Sequence, residues 1–439
     1  MLYAGVCAMD ITPPVGYLLS GHAKRTEKSH RTHDPLRLKV LSLRNGRSRI
    51  VIATADLIGF SAEFVESLRA ELLARTGVRK EHLFLAASHT HTGPFMLECA
   101  SKPDPEKIMP DYISNVRRKI VGGVIEAIDR EEPSRAAWGL ARADIGAVNR
   151  RKRVRSVVVM APNPRGPRDD DVPVLSLRRP DGSLLAAVFQ ATCHPTTIAT
   201  DIAEISADFP GVAQRELEAR FPGCVAMFVN GCSGNVRPAI VKNGKFRGGS
   251  FDDVERMGKA LANAAAHAIE SARPIARPAL AGALACIPMP FTKRLIPRNP
   301  AALETIARGL VKKYPEWRRW INAWAGHCAA MLRAGRPFQT GTSTEIQAIR
   351  IGDAALVGLG GETFAEIGLQ IKRRLPGRTL VAGYVGADRG YLPTAGALRA
   401  GGYEGICFVF EKWPAPLDPS IEQRLVGSAA RLARAMPRN

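Results

Sequence analysis

Short apolar runs rich in β-branched residues alternate along this chain with longer amphipathic stretches. The runs that predict buried strands are residues 49–54, 83–87, 184–191, 224–229, 354–359 and 380–384. The stretches that predict helices are residues 61–76, 112–128, 211–220, 252–271, 364–375 and 420–436. Because strands and helices are mixed throughout and the sequence contains no internal repeat, the pattern predicts a mixed α and β fold. With 439 residues, of which 46% are hydrophobic, the chain can bury a large core.

Residues 297–337 differ from the rest of the chain. This segment has a helical pattern, is rich in Arg, Trp and Ala, and is bounded by prolines. We interpret it as a helical insertion in a single domain that spans residues 1–439. Two roles remain open for it, a lid over the site or an ordinary packed excursion.

The charge of the chain narrows the classes of partner. Lys and Arg outnumber Asp and Glu by 62 to 41, which gives a formal net charge of +21. Such a field attracts anionic partners. The charge is diffuse, however, and its densest run, residues 150–155, has no interleaved aromatic side chains of the kind that stack on bases. We therefore expect a small-molecule substrate and no nucleic acid.

The amino-terminal residues and the cysteines bear on the compartment. The first 16 residues lack a basic segment followed by an apolar one. No apolar run reaches the ~18 residues that a membrane span needs. The eight cysteines are scattered and include no CxxC pair, which disfavours a disulfide scaffold and a cysteine-rich zinc site. We expect no signal peptide, reduced thiols and a cytoplasmic protein.

Uncommon polar side chains fall where the predicted strands end. They are Asp56, His89, His91, His194, Glu362, Asp388 and Tyr391, together with the glycine-rich residues 231–238. Loops at the carboxyl ends of strands gather at one rim when a sheet is layered with helices, and binding crevices form there. We therefore expect these six loops to supply one site.

The histidines and Glu362 are candidate metal ligands. Residues 86–94, AASHTHTGP, place His89 and His91 on the same side of an extended segment, since side chains alternate along a strand. Zinc takes about four N, O or S ligands, so His89, His91, His194 and Glu362 form a suitable set. The alternative for each histidine is an ordinary polar residue at a strand end. Spacing alone does not decide which histidines bind the ion.

Several motifs follow one another in a recognisable order. They are DITPPVG from Asp10, SHTHTGP, VNRR at residues 148–151, CHPTT with the later SADFPG, VNGCSGNVRP, GGETFAEIG, and RGYLPTAGALRAGGYEG, in which Tyr391 and Tyr403 are twelve residues apart. In this succession the chain resembles the neutral/alkaline non-lysosomal ceramidase family over most of its length. The resemblance implies a catalytic domain of two packed β-sheets flanked by outer helices. The immunoglobulin-like C-terminal domain of the family's secreted forms has no counterpart among these motifs, and we expect it to be absent.

The resemblance also implies roles for individual residues. It places one catalytic Zn²⁺ on His89, His194, Glu362 and Tyr391. It places His91 and Arg150 beside the metal without binding it, so His91, Tyr391 and Arg150 are the expected catalytic residues. The activity that it implies is hydrolysis of the carboxamide (N-acyl) bond of a lipid-like substrate.

One position departs from the family pattern. Ceramidases carry Gly-Asp-Val-Ser-Pro-Asn, whose serine is the assigned nucleophile, whereas residues 234–238 here read Gly-Asn-Val-Arg-Pro. Arg237 cannot act as a nucleophile, but it can bind a carboxylate or phosphate with two hydrogen bonds. We therefore expect hydrolysis by metal-activated water. We also expect a substrate with an anionic group, bound by Arg237, Arg150 and Asn235, rather than plain ceramide.

Three alternatives remain open. Two arginines beside a metal also suit a metal-dependent phosphoesterase. A non-catalytic binding protein of the same fold is the second alternative. The third is a serine hydrolase that uses Ser233, although residues 231–234 miss the G-x-S-x-G pattern by one position.

Overall fold

The computed structural model describes residues 1–22, 25–96 and 109–437. In chain order its strands are β1 (Leu2–Asp10), β2 (Arg31–Thr32), β3 (Arg37–Asn45), β4 (Ser48–Ala55), β5 (Leu83–Ala87), β6 (Glu132–Arg142), β7 (Ala147–Val154), β8 (Val157–Asn163), β9 (Asp171–Arg178), β10 (Leu184–Ala191), β11 (Glu204–Ile205), β12 (Val225–Asn230), β13 (Val236–Pro238), β14 (Val241–Lys242), β15 (Lys245–Phe246), β16 (Arg273–Pro274), β17 (Leu280–Pro290), β18 (Gly341–Ile351), β19 (Ala354–Leu359), β20 (Glu362–Thr363), β21 (Thr379–Ala382) and β22 (Tyr391–Leu392). Its α-helices are α1 (Ala62–Thr76), α2 (Pro110–Asp129), α3 (Asp208–Arg220), α4 (Phe251–Glu270), α5 (Pro300–Lys313), α6 (Arg318–Arg333), α7 (Ala365–Arg374), α8 (Ala395–Ala400), α9 (Tyr403–Ile406) and α10 (Ile421–Ala435). The mixed α and β fold expected from the sequence is confirmed.

Local chemistry explains where the predicted elements begin and end. Every predicted strand and helix is present, with ends within three residues of the expected positions. Helix α1 begins where the Ser61 side chain accepts a hydrogen bond from the Phe64 amide, and it ends at Gly77, whose φ is 71°. Helix α4 begins with a reciprocal capping box between Ser250 and Asp253.

Two large sheets form the centre of the fold. The first has the strand order β12-β10-β9-β6-β1-β3-β4-β5, with β16 paired to β6. Only its outermost pairs, β10 with β12 and β4 with β5, are parallel. The second sheet has the order β17-β18-β19-β21, and its β19 and β21 are parallel.

The two sheets pack face to face, with helices on their outer faces. Successive side chains of a strand point to opposite faces, so Ile50 and Ile52 face the second sheet while Val51 and Ala53 face α1 and α2. Helices α3 and α4 cover strands β6, β9, β10 and β12. Helices α7 and α10 cover the second sheet. The expected architecture of two packed sheets with outer helices is confirmed.

Residues 297–337 form the helical pair α5 and α6. The two helices share an apolar cluster with residues 406–410, and the Trp324 indole donates a hydrogen bond to the Trp413 carbonyl over 2.7 Å. Among the described residues, no helix combines the length and apolarity needed to cross a bilayer.

Gly139 tests how tightly α4 packs on the first sheet. A Cβ atom at this position would lie 1.8 Å from the Ala268 carbonyl oxygen of α4, so the helix would have to move. We expect Gly139→Ala to destabilise the protein by about 1–3 kcal/mol, as overpacking does. The control is Gly122→Ala in α2, where a Cβ meets nothing within 4 Å and should add up to about 1 kcal/mol of stability. Denaturant unfolding of both variants measures the difference, and equal midpoints would contradict this close contact.

Candidate metal centre

Three buried histidines meet beyond the ends of β5 and β10. His89 and His91 follow β5, and His194 follows β10. The ring centroid of His89 lies 5.0 Å from that of His91 and 4.7 Å from that of His194. The possible ligand atoms of the three rings all lie within 4.8 Å of one another. This group could hold a metal ion.

Backbone carbonyls orient two of these rings. His89 Nδ1 lies 2.6 Å from the Ile58 carbonyl oxygen, and His194 Nδ1 lies 2.9 Å from the Ser233 carbonyl oxygen. Each Nδ1–H donates to its carbonyl, which leaves the lone pair on Nε2. Metal-binding histidines are commonly fixed in this way by the second ring nitrogen.

Glu362, which follows β19 of the second sheet after two glycines, completes the site. Its Oε2 lies 3.1 Å from His194 Nε2 and 3.5 Å from His89 Nε2. Tetrahedral ligands at about 2.0–2.1 Å from zinc lie about 3.3 Å from each other, so these separations suit a shared ion. Strand β20 pairs in parallel with β22 and aligns Glu362 with Tyr391. The preceding Gly361 allows this approach, because its φ is 141° and a Cβ there would lie 2.7 Å from the Gly390 carbonyl.

The protonation states of these groups also suit a metal. Burial lowers the pKa of His194 to about 4, so its imidazole is neutral at neutral pH. Burial alone would raise the pKa of the Glu362 carboxyl, but the adjacent His89 and His194 rings hold it well below its usual range. Among the described residues, the buried Nε2 atoms of both histidines and Oε2 of Glu362 have no hydrogen-bond partner. A divalent cation would satisfy all three atoms, so these residues fit a metal.

His91 differs from the other two histidines. Neither of its ring nitrogens has a hydrogen-bond partner among the described residues, and no carbonyl orients its ring. Its ring contacts those of His22, His89 and His194 edge to face. Burial, followed by the neighbouring charges of these histidines and Arg25, lowers the pKa of His91 well below its usual value. The ring is therefore neutral, the form of an imidazole that presents a lone pair on one nitrogen.

Arg150 links Tyr391 to a carboxylate that the sequence analysis did not identify. Its Nη2 donates to the Tyr391 hydroxyl over 2.8 Å and to the Gly234 carbonyl over 2.7 Å. Its Nε donates to Glu404 Oε1 over 2.9 Å, and Arg151 binds the other oxygen of Glu404. The side chain of Glu404 is only 2% exposed. Arg150 is therefore a fixed, ion-paired donor at the Tyr391 hydroxyl.

Asn235 and Arg237, the two residues expected to bind substrate together with Arg150, make different contacts in the structure. The Asn235 side chain accepts from the Ala365 amide over 2.9 Å and donates to Glu366 over 2.7 Å. Its amide therefore anchors the start of α7, and the expected substrate contact stays a prediction. Arg237 stacks over the Phe246 ring at 4.5 Å and keeps a buried Nε without a hydrogen-bond partner among the described residues. It remains available to an anion.

Ser233 and Tyr384 pack next to the histidines of the metal centre. Ser233 Oγ lies 2.9 Å from the Tyr384 hydroxyl, and the Tyr384 ring lies 4.2 Å from the His89 ring. His194 contacts the carbonyl of Ser233, not its hydroxyl, so no histidine is placed to activate that serine. His89 and Tyr384 both have left-handed backbones, with φ of 68° and 59°. Such conformations are uncommon for residues other than glycine and concentrate at functional sites.

Two of the polar residues expected at the site have local roles instead. Asp56 accepts hydrogen bonds from the Arg37 amide and from Gln214. Asp388 accepts one from the Gly390 amide in the turn before Tyr391. Glu404, His22 and Arg25, which the sequence analysis missed, follow no strand-end pattern that would identify them. Glu404 alone has a neighbouring signal, because it follows Tyr403 of the quoted motifs. Tyr384 was missed although it lies two residues after β21.

Comparison with solved structures identifies ceramidases. The neutral ceramidase from Pseudomonas aeruginosa matches with a TM-score of 0.71 and 19% identity, over 99% of this chain and 74% of that chain. A ceramidase complexed with C2 matches with a TM-score of 0.72 and 19% identity, over 99% of this chain and 75% of that chain. Comparisons with protein-family models and with curated proteins find no match. The resemblance in the sequence motifs is thus confirmed at the level of architecture, and the chain has the neutral ceramidase fold over 99% of its length.

Proposed function

We propose that this protein is a zinc-dependent hydrolase of a carboxamide bond, related in its chemistry to the neutral ceramidases. One observation carries the proposal. The buried Nε2 atoms of His89 and His194 and the buried Oε2 of Glu362 converge without hydrogen-bond partners among the described residues. The ceramidase fold supports amide hydrolysis as the reaction.

In this proposal His89, His194, Glu362 and Tyr391 hold one Zn²⁺. His194 presents a neutral imidazole, and Glu362 is ionised. Tyr391 is aligned with Glu362 by the pairing of β20 with β22. When bound, zinc supplies a Lewis acid that polarises a carbonyl group and lowers the pKa of water from 15.7 to about 7. A nucleophilic serine is then not required.

His91 is the proposed proton carrier. It is neutral and only 9% exposed, and its ring centroid lies 5.3 Å from that of His194. A neutral imidazole can take a proton from the attacking water and pass it to the leaving amine. Its two unpartnered nitrogens leave both positions available for this transfer.

Tyr391 and Arg150 are the proposed stabilisers of the negative charge that develops on the scissile carbonyl oxygen. Burial raises the pKa of Tyr391 well above its usual value, so the phenol would carry a proton for donation whenever it is released from the metal, while its oxygen accepts from Arg150. Glu404 holds the guanidinium in place, and donors that are fixed before the reaction cost no reorganisation during it. Arg237 forms no ion pair among the described residues, its buried Nε has no hydrogen-bond partner there, and it is the proposed binding residue for an anionic group of the substrate.

A hydrolysis screen with purified protein tests this function. We expect cleavage of N-acyl amines, at least about 100-fold reduction of the rate after treatment with a chelator, and recovery on addition of Zn²⁺. Cleavage of aryl phosphates but not of N-acyl amines would favour the phosphoesterase. Activity that survives chelation would favour Ser233, and bound zinc without turnover would favour a binding protein.

A further inference from the structure

Beyond the metal centre, two arginines, Arg25 and Arg237, carry charges that no described residue neutralises. Arg25 is 8% exposed and donates only to carbonyl oxygens, those of Ser20, His91 and Thr200. Arg237 contacts the Phe246 ring. Among the described residues, neither arginine forms an ion pair.

The contrast with two other buried arginines shows that this is unusual for the molecule. Arg69 pairs with Glu66 and Glu345, and Arg150 pairs with Glu404. Burying a guanidinium without a counter-charge is costly, and such charges are normally paired. Here burial lowers the pKa of both Arg25 and Arg237 to about 10, which reflects the same cost.

His22 connects the two arginines to the metal centre. Its ring centroid lies 4.9 Å from that of His91, and the adjacent Gly21 packs directly on the His91 ring. Arg25 Nη1 donates to the His91 carbonyl over 2.7 Å. After burial and Arg25, the charge of Arg237 also lowers the pKa of His22. The carbonyl of Val236, which precedes Arg237, accepts a hydrogen bond from the His194 amide over 3.0 Å.

Each of these three side chains has an unused hydrogen-bonding atom. His22 Nε2, Arg25 Nη2 and Arg237 Nε are buried and have no partner among the described residues. Buried polar atoms of native proteins are nearly always hydrogen-bonded, so a group of them points to a ligand. Nη2 of Arg25 and Nε of Arg237 can only donate, so the ligand must accept hydrogen bonds and carry negative charge.

We propose that His22, Arg25 and Arg237 form a basic pocket beside the metal centre that binds a carboxylate or phosphate group of the substrate. This inference rests on the proposed function and makes the substrate an N-acyl amine with an oxyanion group. Arg237 can offer the fork-shaped pair of donors that planar carboxylates and phosphate oxygens both accept, and Nη2 of Arg25 adds one further donor.

Anion binding tests the pocket without requiring turnover. Inorganic phosphate and acetate are titrated calorimetrically into the full-length, metal-loaded protein. We expect Arg237→Met to weaken binding of the preferred anion about 30-fold at unchanged metal content, as loss of one partner of a buried charge pair does. Arg153→Met is the matched control, because Arg153 is exposed on β7 and its loss changes the net charge equally. If Arg237→Met does not fold, Arg237→Lys keeps the charge, loses the fork and should weaken binding less.

Three matched substrates separate the two anions and the two proposals. They are N-lauroylglycine, N-lauroyl-O-phosphoethanolamine and the neutral N-lauroylethanolamine. We expect kcat/KM to favour one of the charged substrates over the neutral one, and Arg237→Met to abolish this preference. Equal anion binding by the wild-type and Arg237→Met proteins, with no preference for charged substrates, would overturn the pocket and leave the hydrolase. Arg237-dependent anion binding without hydrolysis of any substrate would overturn the hydrolase and leave the pocket.

Discussion

Replacing His194 with alanine is expected to remove both the bound metal and the hydrolytic activity. His194 is fully buried, and its Nε2 lies 3.1 Å from Glu362 Oε2. The loss of a residue that merely orients a ligand costs about 10–100-fold in metal affinity, so the loss of a ligand should cost more. Elemental analysis of the purified variant and turnover of an N-acyl amine measure the two effects.

His91→Ala is the matched control for this variant. His91 is also buried and contacts the same rings, but no carbonyl orients it. We expect the His91 variant to keep its metal and lose activity by about 10²–10⁴-fold, the range for removal of a general acid–base. Loss of metal from both variants would indicate a centre of three histidines instead. A His194 variant that keeps metal and activity would remove His194 from the centre.

Replacing Glu404 with leucine is expected to destabilise the whole protein. This carboxylate is the shared partner of Arg150 and Arg151, whose side chains are 5% and 11% exposed. Removing one member of a buried ion pair typically costs about 3–5 kcal/mol, because the remaining charge is buried without a partner. Thermal and denaturant unfolding of the variant measure this cost.

Glu255→Leu is the control for the Glu404 variant. Glu255 pairs with Arg215 over 2.6 Å, but half of the Arg215 side chain is exposed. Exposed pairs contribute about 0–1 kcal/mol, so this variant should unfold close to the wild type. Equal destabilisation by the two changes would show that Glu404 has no special role in holding the arginines.

The sequence pattern predicted six strands that read as apolar runs and missed the others, including strands buried on both faces such as β3 and β9. Strand β10 is completely buried and reads as one apolar run. Strand β7, AVNRRKRV, is exposed over its second half and carries four basic residues, so no apolar run marks it. Strand β17 is rich in alanine and proline and lacks the β-branched run that identifies a strand.

The candidate site could be predicted in part because its histidines and Glu362 follow recognisable strands. The supporting residues could not, because their roles depend on contacts between distant segments. Arg150 and Glu404 are 254 positions apart, and Tyr384 reaches Ser233 across 151 positions. No local pattern encodes such pairs. Asn235 likewise has a contact that its position in the motif does not reveal, because its amide accepts a hydrogen bond at the start of α7.

The left-handed backbones at His89 and Tyr384 lower the stability of the protein at two residues of the candidate site. Each conformation costs about 1–3 kcal/mol for a residue with a side chain, and glycine or asparagine would relieve it. A thermostabilised variant selected without regard to turnover would therefore tend to accept such replacements and lose the imidazole or its stacked phenol. Engineering efforts should hold both positions constant and look for added stability elsewhere in the molecule.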